Sequence, residues 1–88
     1  MPITDTLLSF PCDFPLKVIG RRNDDFRSLA LGIVQKHVGA IPPDQITERP
    51  SKDGNYISLT CTFQASSRAQ LDALYAELTA CERVLIVL

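Results

Sequence analysis

The sequence predicts an α+β domain: a four-stranded antiparallel sheet, strand order 4-1-3-2, with two helices on one face. Two stretches, Phe14 to Gly20 and Tyr56 to Ala65, alternate with the period of half-buried strands. Two others, Phe26 to His37 and Leu71 to Leu78, repeat apolar residues at helical spacing. Right-handed crossovers from strand through helix to strand place both helices on the same side of the sheet.

In the first strand Phe14, Leu16 and Val18 alternate with Pro15, Lys17 and Ile19, and glycine closes the run at Gly20. Asn23 and Asp24 are expected to cap the helix that follows. Its apolar face carries Phe26, Leu29, Ala30, Ile33, Val34 and His37, and Gly39 stops it. Ala40 to Pro43 lead into a short polar strand, Asp44 to Pro50, whose closing proline suits a sheet edge. Ser51 to Asn55 contain an Asp-Gly pair that tolerates positive φ and reverses the chain. In the third strand Ile57, Leu59, Cys61, Phe63 and Ala65 form a core face, and Tyr56, Ser58, Thr60, Thr62 and Gln64 a wet one. Ser67, three residues before Gln70, forms a capping box for a second helix lined by Leu71, Leu74, Tyr75 and Leu78, with Cys81 continuing the stripe. Arg83 to Leu88 is a nearly all-apolar last strand. The β-α-β-β-α-β order is that of the ferredoxin-like sandwich.

Composition fits this architecture. At 88 residues, residues 1–88 are expected to form one domain, with residues 1–13 as an N-terminal extension; a chain of this size buries roughly 60–65% of its unfolded surface. Hydrophobic residues make up 45% and charged residues 22%, a globular balance rather than a disordered one. Nine basic and ten acidic side chains leave a net charge of −1, so no general field draws in nucleic acid or an anionic membrane, and neither is an expected partner. Met1 to Leu8 lack the pattern of a signal peptide and no segment approaches transmembrane length, which predicts a cytoplasmic location. Cys12, Cys61 and Cys81 are widely spaced without a C-x-x-C pair and predict reduced thiols, with neither a disulfide framework nor a zinc site. No metal or other cofactor is indicated.

Chain direction then fixes which loops are neighbours. The turn Gly20-Arg21-Arg22-Asn23, the hairpin Ser51 to Asn55 and the junction at Cys81 and Glu82 share one end. Arg21, Arg22 and Lys52 thereby gather beside a helix N-terminus, a setting that holds anions and carboxylates. Gly20, Asn23, Asn55 and Tyr56 complete the candidate binding set. Asp24, Asp25 and Asp53 lie in the same loops and oppose an anion, and solvated loop charges are the plain alternative. The open sheet face is expected to carry Lys17, Ile19, Tyr56, Ser58, Thr60 and Thr62, with either Leu85 and Val87 or Val84, Ile86 and Leu88. An apolar edge strand predicts pairing with a second subunit, as a homodimer, or with the N-terminal Leu7, Leu8 and Phe10.

Catalytic constellations are not legible. His37 is the sole histidine and sits on the apolar stripe of a helix, where a hydrogen-bonded structural position is expected. Val18-Ile19-Gly20-Arg21 through Phe26-Arg27 is superficially similar to the acylphosphatase cradle, but it is shorter and sets Asp24 and Asp25 where amides and glycine are needed. An RNA-recognition sheet would stack bases on aromatic residues, and of the wet-face positions only Tyr56 is aromatic.

Phe14-Pro15-Leu16-Lys17-Val18-Ile19-Gly20, Gln35-Lys36-His37, Ser51 to Leu59 and Leu74-Tyr75-Ala76-Glu77-Leu78 together resemble the YbeD-like family of small bacterial proteins, over nearly the whole chain. That resemblance implies a ferredoxin-like fold similar to ACT regulatory domains, and an association with lipoate attachment that suggests regulation. ACT domains bind amino acids near the turn after strand one; of their loop, only Gly20 and the loop position carry over here. The leading expectation is a non-enzymatic regulatory module that binds a small metabolite or a partner protein. The alternatives are a protein-interaction adaptor using the last strand, an acylphosphatase-like enzyme and an RNA-binding module.

Overall fold

The computed structural model describes residues 9–88. Its elements are β1 (Cys12–Arg21), α1 (Phe26–Val38), a single 3-10 turn (Pro43–Gln45), β2 (Ile46–Pro50), β3 (Tyr56–Ala65), α2 (Arg68–Ala80) and β4 (Val84–Val87). They form one antiparallel sheet in the order β2-β3-β1-β4, which is the expected 4-1-3-2 read from the other edge. The ferredoxin-like α+β fold is therefore present.

Several boundaries differ from the sequence reading, with β1 running on to Arg21 and β4 confined to Val84–Val87, and three of the differences have a clear local reason. β1 starts at Cys12, so Cys12 and Asp13 belong to the sheet rather than to the extension; β3 is long enough to pair them with Ala65 and Gln64. Asp44 belongs to the turn before β2, where Pro43 presets the helical φ. At α1 neither Asn23 nor Asp24 is the cap: Asp25 occupies that position without a side-chain cap bond, because its carboxylate is committed to the Arg83 guanidinium. The other signals act as read. Gly39 follows α1 at φ 85° and returns its N–H to Gln35. Ser67 Oγ accepts from the Gln70 N–H at 3.1 Å, while Gln70 Oε1 accepts from the Ser66 N–H at 2.8 Å, so the reciprocal arm of the capping box is displaced by one residue.

β1 tolerates Pro15 although it is a central strand. Lys17 exchanges backbone hydrogen bonds of 3.1 and 2.8 Å with Leu88, so odd-numbered residues of β1 direct their amides toward β4. Pro15, next in that series, has no β4 residue opposite it, and its missing N–H interrupts no ladder.

The core lies between the sheet and the helices. Leu16 and Val18 of β1 and Leu59 and Cys61 of β3 pack against Phe26, Ala30 and Val34 of α1 and Leu71, Leu74 and Leu78 of α2, all fully buried. Each large apolar side chain there contributes about 1.5–3 kcal/mol. Leu7 and Leu8, expected partners of the last strand, lie outside the described residues; Phe10 packs on the core cluster.

β4 departs from both expected face assignments. Ile86 pairs with Ile19 but Val84 pairs with Gly20, so Leu85 is an extra residue in a bulge. Val84 is buried and Val87 half-buried, while Leu85, Ile86 and Leu88 are 47%, 48% and 63% exposed. The bulge breaks the alternation on which a choice between odd and even residues rested.

Candidate functional site

The loop end assembles largely as chain direction requires. Arg21 and Tyr56 are register partners in β1 and β3, with the Arg21 guanidinium 5.7 Å from the Tyr56 ring centre. The Arg22 N–H donates to the Asn55 carbonyl at 2.9 Å, joining the first turn to the hairpin. Gly54 adopts φ 76°, with the Arg22 guanidinium passing beside it. Asn23 closes the turn by accepting from the Phe26 N–H at 3.2 Å, and Lys52 is exposed on the hairpin. Gly20 differs from the rest: it is buried, and a Cβ there would run into the Phe26 ring and lie 2.6 Å from the Arg83 carbonyl oxygen. Its bareness serves packing of α1 and the α2–β4 junction.

The carboxylates at this end are engaged. Asp53 accepts from Ser51 Oγ at 2.7 Å and from the Asn55 N–H at 3.1 Å; these bonds, the hydroxyl first, hold its carboxyl below the usual range. Asp25 is likewise lowered, by its hydrogen bond to Arg83. A depression of about 580 Å³ beside the start of α1 is lined by Arg22, Asn23, Asp24, Arg27, Glu48 and Ile57. Its cations are matched by carboxylates, with Arg27 and Glu48 paired at 2.8 Å, which removes its appeal as an anion cradle.

The open face is different in kind. Strand pairing lays its residues out in rows: Arg49, Ser58, Ile19 and Ile86 form one, and Thr47, Thr60, Lys17 and Leu88 the next. Arg21 and Tyr56 begin the row beyond. A shallow depression of about 340 Å³ is floored by Ser58 and Thr60 and flanked by Lys17, Thr47 and Arg49, with no carboxylate in its lining. Its β4 side is the exposed strip of Ile86 and Leu88. The face thus runs from Arg49 and Thr47 on β2 over the hydroxyls of Ser58 and Thr60 on β3 to Lys17 on β1 and then the apolar strip on β4.

Ion pairing divides the basic residues in the same way. Arg27, Lys36, Arg68 and Arg83 pair with Glu48, Glu77, Asp72 and Asp25. Among the described residues Lys17, Arg21, Arg22, Arg49 and Lys52 form no ion pair, and all five lie on the open face or the loop end. Lys17 was expected on this face but not as a site residue, and Arg49 and Thr47 were missed altogether. Their signal is the alternation Thr47, Arg49 inside a strand short enough to look like a loop.

His37 takes the structural place expected of it. Its Nε2 donates to Glu77 Oε1 at 2.8 Å and its carbonyl accepts from Gln70 Nε2 at 3.0 Å, tying α1 to α2. Burial pushes the Cys61 thiol upward. Among the described residues no group of three or more His, Cys, Asp or Glu is arranged to hold a metal ion, and no helix is long and apolar enough to cross a membrane.

Comparison with known proteins gives consistent matches along the chain. Residues 5–88 match the family described as "Protein of unknown function (DUF493)". A UPF0250 protein of Paraburkholderia phymatum is 38% identical over 87 residues, covering 99% of this chain and 98% of that protein. One from Leptothrix cholodnii is 43% identical over 88 residues, covering 100% and 97%. Among solved structures, the solution structure of protein HP0495 from H. pylori superposes with a TM-score of 0.68 at 15% identity, covering 92% of this chain and 85% of that one. At that identity the likeness speaks to the fold alone.

Proposed function

The chain belongs to the DUF493 family of proteins of unknown function, the YbeD-like family its motifs resemble, and we propose that it is a cytosolic, non-catalytic module that binds an anionic ligand on its open sheet face. The observation that carries this reading is the segregation of basic residues. Every cation tied to the helices has a carboxylate partner, whereas Lys17 and Arg49 flank a floor of hydroxyls without an ion pair and Arg21, beside the Tyr56 ring, forms none either. Exposed charges kept free of partners in one patch create a local positive potential on a molecule of net charge −1. The loop-end residues Arg22, Asn23, Lys52 and Asn55 border the patch through Arg21 and Tyr56 and extend it.

A non-catalytic role is supported by what the reactive groups are doing. His37 is bonded to Glu77, and Cys61 is buried with its thiol disfavoured as thiolate. The lipoate association implied by the family resemblance makes a carboxylate with an apolar tail, or a protein handling one, the first ligand to try. Titration of the isotope-labelled protein with citrate and with inorganic phosphate at low ionic strength tests the reading. Amide shifts at Lys17, Arg49, Ser58 and Thr60 that vanish in Lys17→Glu/Arg49→Glu are expected; an unresponsive open face overturns it.

A second reading, an adaptor or homodimer formed through β4, is favoured by the three exposed apolar residues on that strand. Sedimentation at micromolar concentration decides the homodimer: a dimer that Ile86→Glu dissociates supports it, and a monomer removes it; co-purification of a defined partner that Ile86→Glu abolishes supports the adaptor, and its absence removes that.

A further inference from the structure

We infer that the open sheet face is a docking surface for an amphipathic helix of another protein, acidic along one flank and apolar along the other. This deepens the proposed anion-binding role and rests on it. The positions to be satisfied are Arg49 on β2 at the acidic edge, with Lys17 on β1 reaching up from nearer the middle, and Ile86 and Leu88 on β4 at the apolar edge. β2 and β4 are three strand spacings apart, about 14 Å in all. An α-helix with its side chains is about 10–12 Å across. Such a helix fits between the two outer columns with Ser58, Thr60 and Ile19 beneath it.

Charge complementarity selects this occupant over others. Two copies of the face would set Lys17, Arg21 and Arg49 against their equals, with Asp13 at the far end the only side-chain carboxylate among the described residues of the face to offset them, so self-association face to face is repulsive. An added strand on β4 would lie beside Ile86 and Leu88 but two strand spacings from Lys17 on β1 and four from Arg49 on β2, and would leave Arg49 unused. RNA would find one aromatic platform, Tyr56, already beneath the Arg21 guanidinium, and no use for the apolar strip. A helix with one acidic and one apolar flank uses both halves at once.

The test employs the protein and these probes: an 18-residue peptide with Glu and Leu on opposite flanks at helical spacing, the same residues in scrambled order, and citrate, with oligouridylate and vesicles containing anionic phospholipid as competitors. The patterned peptide is expected to gain helix on binding and to shift the amides of Lys17, Ile19, Arg49 and Ile86. It should bind at least tenfold more tightly than the scrambled one. Lys17→Glu/Arg49→Glu and, separately, Ile86→Glu are each expected to weaken it about tenfold or more, with melting temperatures near that of the wild type because these side chains are exposed. Equal affinity for the scrambled peptide, or indifference to Ile86→Glu, overturns the helix. So does tighter capture by oligouridylate or by vesicles containing anionic phospholipid. Citrate shifts without peptide binding defeat this inference and leave the anion-binding role standing; silence from both probes defeats both.

Discussion

Replacing Gly20 by alanine is expected to destabilise the fold severely although it adds one methyl group. The new carbon would overlap Cε1 of Phe26 and stand 2.7 Å from its Cζ and 2.6 Å from the Arg83 carbonyl oxygen, against the 3.5–4.0 Å or so of an ordinary contact. The ring can yield only by leaving a site where it is fully buried, and deleting such a ring costs about 3–5 kcal/mol. The carbonyl is backbone at the junction between α2 and β4 and yields only with the strand. Overpacking of this sort costs about 1–3 kcal/mol, and with two obstacles the upper end, about 3 kcal/mol, is expected. For a domain of this length that lowers Tm by about 12–24 °C. Urea unfolding should show the lowered midpoint at an unchanged slope. Phe26→Leu trims the ring and should make the Gly20→Ala step cheaper by about 1 kcal/mol or more. A loss below about 0.5 kcal/mol for Gly20→Ala, or strict additivity with Phe26→Leu, refutes the packing argument.

Gly54→Ala should cost about 1 kcal/mol in the same assay, since φ 76° strains any residue with a Cβ while the neighbouring Arg22 guanidinium at 3.5 Å leaves the space open. Ser67→Ala removes the acceptor for the Gln70 N–H and should cost about 1 kcal/mol, visible as a lower urea midpoint. Glu77 is held below the ordinary carboxylate range first by its bond to His37 and then by Lys36. Its contribution is therefore present above its unfolded value of 4.5 and fades as pH falls through the lower folded value. Glu77→Gln should be less stable than the wild type near pH 6, with the gap closing in acid; a gap that widens in acid contradicts the sign. Cys61 should resist thiol reagents at pH 8 in the native state and react on unfolding, because burial disfavours its thiolate.

The parts of the fold that sequence made legible are those where one face is dry and the other wet. β3 shows this fully, with Ile57 to Ala65 alternating against Tyr56 to Gln64 and the burial pattern following residue by residue. β4 is opaque for the opposite reason: when every residue is apolar, alternation carries no signal, and a one-residue bulge leaves none to carry. Gly20 illustrates a second limit. A missing side chain reads the same whether it frees a turn or makes room for a ring, and only the position of Phe26 distinguishes them. The neighbourhood of Arg21, Arg22, Asn55 and Tyr56 follows from topology alone and could be foreseen. That Arg49 shares a face with Lys17 depends on the register set by the Ser51–Asn55 hairpin. Which cations find carboxylates is a matter of distance in space. Neither is written in local pattern.

Separation of paired from unpaired cations gives this molecule an electric moment that its isoelectric point conceals. With a pI near 5.6 it should, judged by net charge, flow unretained through a cation exchanger at pH 7. A resin bead touches one side of a protein at a time, and the side bearing Lys17, Arg21 and Arg49 is free to turn toward it. Retention on both anion and cation exchangers at the same pH is the expected chromatographic consequence of a nearly neutral chain that keeps its unpaired cations toward one face.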